Sequence, residues 1–324
     1  MKQTAGRGAH DPDPPGTPPG TEGDAVRIAV LVAAVLLLAG CQLPERSGER
    51  AVTVPHAQGE TVVERTPERV VALGPQWTDA ALAMGVVPVG RLTDAAGTTP
   101  PWQPAAGPST TAIDPAEPLD QQVKELRPEL ILLEGALAAP RTYLEMTAIA
   151  PTVPALGTAP VGRWRDQVGV LGAVLREPDE AAEVIAAVDR RLDRLPGVRG
   201  RTVAVAWLAG PGQLIVSTDP AGPALEIFTR LGMRLPDALA ALPADQGRVV
   251  LPADRLAELK ADVVVIGHSP ETGLDATALP GYDGLKDSAV LLSPVELAGL
   301  EYPTALSVPY LLDRLEPALR RAAG

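Results

Sequence analysis

The sequence predicts an α/β protein of two lobes. Each lobe has a mostly parallel sheet flanked by helices, and one long helical bridge joins them. Three observations carry this. Short apolar strands alternate with helical segments in both halves, the pattern of a parallel sheet covered on both faces. The stretch Arg163–Leu195 between the halves is helical throughout. The halves also resemble each other locally: residues 124–135 and residues 257–267 each read as a helix end, a tight turn and an apolar strand running to a polar loop.

The bridge reads as two helices in line with a joint at Arg176-Glu177-Pro178. Trp164, Val168, Leu171 and Leu175 recur at helical spacing in the first. The second opens on Pro178, Asp179 and Glu180, where proline and acids suit the helix start, and closes on Arg190, Arg191 and Arg194 before Pro196-Gly197. The organisation is therefore 1–40 for a polar n-region and signal peptide, 41–60 for a tether, 61–162 for a first lobe, 163–195 for the bridge and 196–324 for a second lobe.

Residues 1–25 are rich in proline, glycine and aspartate and predict no packed core. The apolar run Ile28–Ala39 is too short to span a bilayer but suits a signal-peptide core. It ends in Leu38-Ala39-Gly40-Cys41, which looks like a bacterial lipobox. Cys41 is the only cysteine of the chain, so no intramolecular disulfide can form. The sequence thus predicts lipidation at Cys41 and attachment to the extracytoplasmic face of the cell membrane. Gln42 to about Gly59 reads as a polar tether in which His56 is solvated.

In the first lobe, strands are expected at 69–73, Val86–Gly90, 129–133 and 152–156, with helices at 77–84, 119–126 and 141–149. In the second, strands are expected at 202–208, 214–217, 262–266 and 290–292, with helices at 224–231, 253–259 and 305–319; prolines 309 and 317 interrupt the last. Asp79 and Glu226 occupy matching places: each stands in the first turn of a helix that a glycine closes six residues on, Gly85 and Gly232. Acids favour helix starts in general, but the repetition in both halves suggests a shared use.

At this point the chain resembles the substrate-binding lipoproteins of iron–siderophore and cobalamin ABC importers. The matching stretches are Pro67–Pro75, Thr78–Gly90, Leu126–Leu132, Ile149–Val153, Leu225–Gly232 and 256–267, over roughly residues 61–320. The resemblance implies two α/β lobes joined by one long helix, a ferric siderophore or similar chelate as ligand, and an ABC permease dimer as partner. It further implies a monomer held to the membrane by its lipid. It also implies that Asp79 and Glu226 dock onto arginines of the permease. Aspartate stands where the family more often has glutamate.

Ligands of open α/β lobes sit beyond the carboxyl ends of the strands. That rule nominates Trp77, Arg91, Glu134 and Arg141 in the first lobe and Trp207, His268, Glu296 and Tyr302 in the second. Taken singly, each serves equally well as a packing or surface residue. Aromatic rings suit a bulky ligand with polar handles. Trp164 reads as core, and Trp102, in a proline-rich loop, as a lid or a surface residue.

Composition excludes several classes. The net charge of −12 argues against nucleic acid. Of three histidines only His268 falls within a lobe, so direct capture of a bare metal ion is disfavoured and no resident cofactor is expected. Arg91 and Arg141 are the main strand-end cations, which leans the ligand toward a neutral or cationic ferric hydroxamate rather than an anionic catecholate. Cobalamin, haem and a sensor co-receptor role stay open. No nucleophile elbow, phosphate loop or Cys–His pair points to an enzyme.

Overall fold

In the computed structural model the described residues are 50–92, 99–105, 107–157, 163–210 and 212–324. Cys41 and the apolar run before it lie outside them. Residues Glu49–Gly324 make up one compact unit, and none of its helices is long and apolar enough to cross a membrane.

The unit starts with an antiparallel hairpin of β1 (Val52–His56) and β2 (Gly59–Val63). This shortens the expected tether. Val54, Thr61 and Val63 point inward and are buried, while the polar residues between them face out. A period-two strand with a polar outer face reads as linker when its few apolar positions go uncounted. His56 is held in this hairpin, not solvated: its Nε2 lies 2.9 Å from Thr61 Oγ1, and its ring centroid is 5.7 Å from that of Tyr143.

The first lobe contains β3 (Val70–Leu73), α1 (Pro75–Ala83), β4 (Gly90–Leu92), β5 (Thr111–Ile113), α2 (Leu119–Glu125), β6 (Leu130–Leu133), α3 (Pro140–Thr147) and β7 (Thr152–Val153). Its sheet has the order β5-β4-β3-β6-β7, with every pair parallel. The strand expected at Val86–Gly90 lies later in the chain. Pro88 has no N–H to give a ladder, and pairing with β3 is confined to Gly90 and Arg91. Arg91 is therefore a strand residue, not a residue past the strand.

The bridge is an antiparallel helical hairpin of α4 (Trp164–Leu175) and α5 (Pro178–Asp193), not two helices in line. Arg165 in α4 reaches Asp189 in α5 at 2.6 Å, and a Cβ on Gly172 would lie 2.4 Å from that of Ala181. Nine residues of one straight helix would span about 13 Å. The reversal is made at Arg176, in the left-handed region at φ 65°, with Glu177 N–H donating to the Gly172 carbonyl at 2.7 Å. A left-handed arginine is uncommon, and with no glycine at this position nothing in the residue types marks the turn.

The second lobe contains β8 (Val203–Gly210), β9 (Gln213–Ser217), α6 (Pro223–Arg230), α7 (Asp237–Ala240), β10 (Arg248–Pro252), β11 (Val263–Gly267), β12 (Ala289–Leu292), α8 (Pro294–Glu301) and α9 (Ser307–Ala323). The order is β10-β9-β8-β11-β12. β8, β11 and β12 run parallel, and β9 is antiparallel to both neighbours. Ala253–Leu259 is a 3-10 run instead of an α-helix. α9 runs unbroken: Pro309 falls in its first turn, where an N–H has no partner anyway, and Pro317 is carried inside it.

Each sheet shows one face to a shared core and the other to its own. Val70, Ala72, Leu130 and Leu132 of the first sheet join Val203, Val205, Val263 and Val265 of the second in one apolar cluster with both bridge helices. The alternate residues Val71, Leu73, Ile131 and Leu133 form a local core in the first lobe, and Ala204, Ala206, Val264 and Ile266 one in the second. The period of two along each strand is what splits them.

Candidate functional site

Both sheets reverse strand order about a central strand, β3 in one and β8 in the other, and the crevice beyond such a strand is where open α/β sheets bind ligands. In the first lobe the register Leu73↔Leu133 sets Gly74 beside Glu134. Gly74 has φ 140°, and a Cβ there would stand 1.8 Å from Glu134 Oε2. Glu134 is only 8% exposed. Burial raises its pKa to about 7; Gln76 N–H, donating at 3.4 Å, opposes the shift and the Asp79 charge adds to it.

In the second lobe the register Trp207↔Gly267 sets the end of β11 beside the middle of β8, which runs on to Gly210, so Trp207 is a strand residue and does not end its strand. The Arg248 guanidinium lies 5.1 Å from the Trp207 ring centroid and donates to Glu301 Oε1 at 2.8 Å. Burial raises the Glu301 pKa, and Arg248 opposes that shift. His268 follows β11, with Nδ1 3.7 Å from Asp275 Oδ1.

The lobes meet where the segment after β3 touches the turn between α8 and α9. Gln76 Nε2 donates to the Pro303 carbonyl at 3.1 Å. Asp79, 1% exposed, accepts from Thr304 Oγ1 at 2.7 Å, from Trp102 Nε1 at 2.7 Å and from Gln103 Nε2 at 2.5 Å. Burial raises the Asp79 pKa, against the three side-chain donors and the Arg91 charge. Gln103 Oε1 in turn accepts from Arg91 Nη1 at 3.0 Å, and Arg91 Nη2 donates to Thr99 Oγ1 at 3.3 Å.

Several candidates need correction. Trp77 is fully buried in the shared core, because α1 turns that face toward the bridge; its Nε1 has no hydrogen-bond partner among the described residues. Asp79 is not a solvated acid. Its short side chain stays within reach of Trp102, Gln103 and Thr304. Arg141 points to solvent, its side chain 90% exposed and paired with Glu145 at 2.7 Å. Glu296 is a structural acid: it closes a capping box with Ser293 and accepts from Tyr310 Oη at 2.9 Å and Arg314 Nε at 2.8 Å. Burial pushes its pKa up, but those donors outweigh burial and leave it low.

Of the others, Arg91 lies in β4 and Glu134 follows β6, while Trp207 lies within β8 and His268 follows β11. Tyr302 is 39% exposed next to Glu301. Glu226 is half exposed and already paired, with Arg165 at 3.1 Å; Arg165 also holds Asp189 and stacks on Trp164 at 4.2 Å. The residues not anticipated are Gln103, Arg248, Glu301 and Thr304. Trp102 was singled out by its type, but its partner across 23 positions was not readable. Among the described residues no group of three or more His, Cys, Asp and Glu is placed to hold a metal ion. Two open grooves lie away from the strand ends: one of about 580 Å³ between α2 and α3, and one of about 650 Å³ between the end of α1 and the start of α5.

Two α/β lobes that share one apolar core and touch at Gln76–Pro303 and Asp79–Thr304 have the architecture of two-lobe solute-binding proteins. Residues 70–292 match the family described as periplasmic binding protein, and the chain belongs to that family. Its members are binding proteins of transporters, not enzymes. Among relatives, the chain is 30% identical over 225 residues to the "probable siderophore-binding lipoprotein YfiY" of Bacillus subtilis (strain 168), covering 64% of this chain and 66% of that one, just under two thirds of its length. It is 26% identical over 255 residues to the "Fe(3+)-citrate-binding protein YfmC" of the same organism, covering 74% and 78%. A crystal structure of a periplasmic solute binding protein from Mycobacterium smegmatis superposes with a TM-score of 0.69 at 25% identity, covering 85% of this chain and 99% of that one.

Proposed function

We propose that the chain is the substrate-binding lipoprotein of an ABC importer, anchored outside the cytoplasm through Cys41, and that it takes a ferric siderophore between its lobes. The observation that carries this is the contact between the lobes at Gln76–Pro303 and Asp79–Thr304, made by segments that follow β3 in one lobe and Glu301, the partner of Arg248, in the other. Iron enters as cargo within the chelate, so no clustered metal ligands are required of the protein. The printed names of the two relatives support an iron chelate as the ligand class.

The charge at the strand ends favours a hydroxamate-type complex. Arg248 is matched by Glu301, and the Arg91 charge acts on Asp79, so an anionic catecholate complex meets little net positive potential. The experiment is titration of the purified chain, followed by tryptophan emission, with a ferric trihydroxamate, a ferric tricatecholate, ferric citrate, haem and cobalamin. The trihydroxamate is expected to bind tightest. No response to any of the five at micromolar concentration overturns the reading. Uptake of labelled chelate by a deletion strain separates import from a sensor role. Loss of membrane retention on Cys41→Ala tests the anchor. On this reading Glu226 is the acid that faces the permease.

A further inference from the structure

We propose that Asp79 is the positioning residue of an inter-lobe clasp: it does not touch the ligand, but it holds Trp102 and Gln103 against the second lobe and so fixes Arg91 at the strand ends. The clasp deepens the reading of a ligand cleft given above.

The chain of contacts is continuous. Arg91 Nη1 donates to Gln103 Oε1, Gln103 Nε2 donates to Asp79 Oδ1, and Thr304 Oγ1 donates to Asp79 Oδ2. An amide placed between a guanidinium and a carboxylate is satisfied in only one orientation, so Gln103 transmits position as well as charge. Trp102 adds a second strap. Its Nε1 donates to Asp79 Oδ2, and its ring lies on Gly299 of α8, where a Cβ would come within 2.5 Å of the ring, and 5.7 Å from the Tyr310 ring of α9. Only glycine at residue 299 leaves room for that ring.

On the far side the clasp ends in a helix start. Thr304 Oγ1 accepts from Ser307 N–H at 2.9 Å and Leu306 N–H at 3.3 Å, so the hydroxyl that donates to Asp79 also caps α9. A buried carboxylate is tolerated because every donor facing it is used: Trp102, Gln103 and Thr304 bond it directly. Removing any one donor leaves a charge in a dry interface, which is why the straps are expected to act together. Two elements that are distant in sequence, 99–105 and 303–308, should therefore loosen as a unit.

The test reads hydrogen exchange first, since it needs no ligand. Thr304→Val removes the second-lobe arm together with the acceptor for the Leu306 and Ser307 N–H groups. It should speed exchange in residues 99–105 of the other lobe as well as at the start of α9. Gly299→Ala, which displaces Trp102 without altering the carboxylate, should give the same pattern, as should Asp79→Asn. Exchange that changes only on the mutated side overturns the clasp, and so does uniform acceleration over the whole chain. The second readout is affinity for the ferric trihydroxamate, expected to fall on the order of tenfold in Asp79→Asn and in Thr304→Val alike, a usual size for coupling between sites. Unchanged affinity with coupled exchange would overturn the control over Arg91. If the unaltered protein binds none of the five chelates, the cleft reading fails while the exchange result still decides the clasp.

Discussion

The carboxylate of Glu134 fills the space that a side chain on Gly74 would need: a Cβ there would lie 1.8 Å from Glu134 Oε2. Gly74 also stands at φ 140°, a conformation that L side chains rarely adopt. Gly74→Ala therefore carries two separate costs. It is expected to lower stability by at least about 2 kcal/mol in urea denaturation, as strained backbone alone costs roughly 1–3 kcal/mol. Adding Glu134→Ala should recover only part of the steric cost, because the Cβ at residue 134 would still lie 2.4 Å from the added one. A Gly74→Ala protein as stable as the parent would show that the close approach is not required.

Glu134 also makes stability depend on pH. In the folded chain Glu134 keeps its proton up to about pH 7, whereas an ordinary glutamate carboxyl releases it near 4.5. Between those values the folded state binds more protons than the unfolded one, so stability declines as pH rises through this window. Glu134→Gln removes that slope. Relative to the parent, the variant should gain on the order of 3 kcal/mol between pH 4.5 and above pH 7, at 1.36 kcal/mol per pH unit. Denaturation midpoints of both proteins across this range check it. Parallel curves would mean that Glu134 is ionised in the folded state throughout.

Ligand contact should divide the two arginines named from the sequence. Arg141 is exposed and bound to Glu145 on its own helix, so Arg141→Ala is expected to leave chelate affinity within about twofold, the scale of a surface pair. Arg91→Ala should weaken binding roughly 10- to 150-fold if its guanidinium donates to the chelate, since hydrogen bonds to charged groups are worth about 1.5–3 kcal/mol. Equal effects from both would rule out the strand-end site as drawn.

Glu226 offers a partner test that is independent of the cleft. Its pairing with Arg165 is partly exposed and is worth at most about 1 kcal/mol. Arg165→Ala, which also loses the Asp189 pair and the stacking on Trp164, should lower the melting temperature and should leave uptake intact. Glu226→Ala should leave chelate affinity unchanged and reduce uptake, because an acid desolvated against a permease arginine can be worth roughly 2–5 kcal/mol. Normal uptake by the Glu226→Ala strain removes this residue from the docking surface.

The two-lobe architecture was readable because apolar strands and glycine-closed helices are local signals. Leu130–Leu133 and Val263–Gly267 need no distant partner to be seen. The hairpin made by the bridge was not readable, because its turn depends on Arg176, which carries no turn chemistry, and on the close pair Gly172 and Ala181. The equivalence of Asp79 and Glu226 held in neither position nor environment: α1 starts at Pro75, which puts Asp79 beyond the first turn, whereas Glu226 lies in the first turn of α6. One is closed in by Trp102, Gln103 and Thr304, whereas the other meets Arg165 at the surface. Trp77 and Glu296 follow strand ends as expected, yet helix rotation sends one into the core and a capping box takes the other. Strand-end position narrows the candidates, and only packing decides which way a side chain faces.

The apolar cluster shared by both sheets and the bridge has a consequence for how the protein fails. Val70 and Leu132 on one side and Val205 and Val265 on the other lean on the same helices, Trp164 through Leu195. Neither lobe can melt without stripping the cover from its neighbour. Heating should give one calorimetric peak whose van't Hoff and calorimetric enthalpies agree, and limited proteolysis should leave no lobe-sized fragment. A damaged copy would then be lost whole, and no single lobe would persist to hold half of a binding surface.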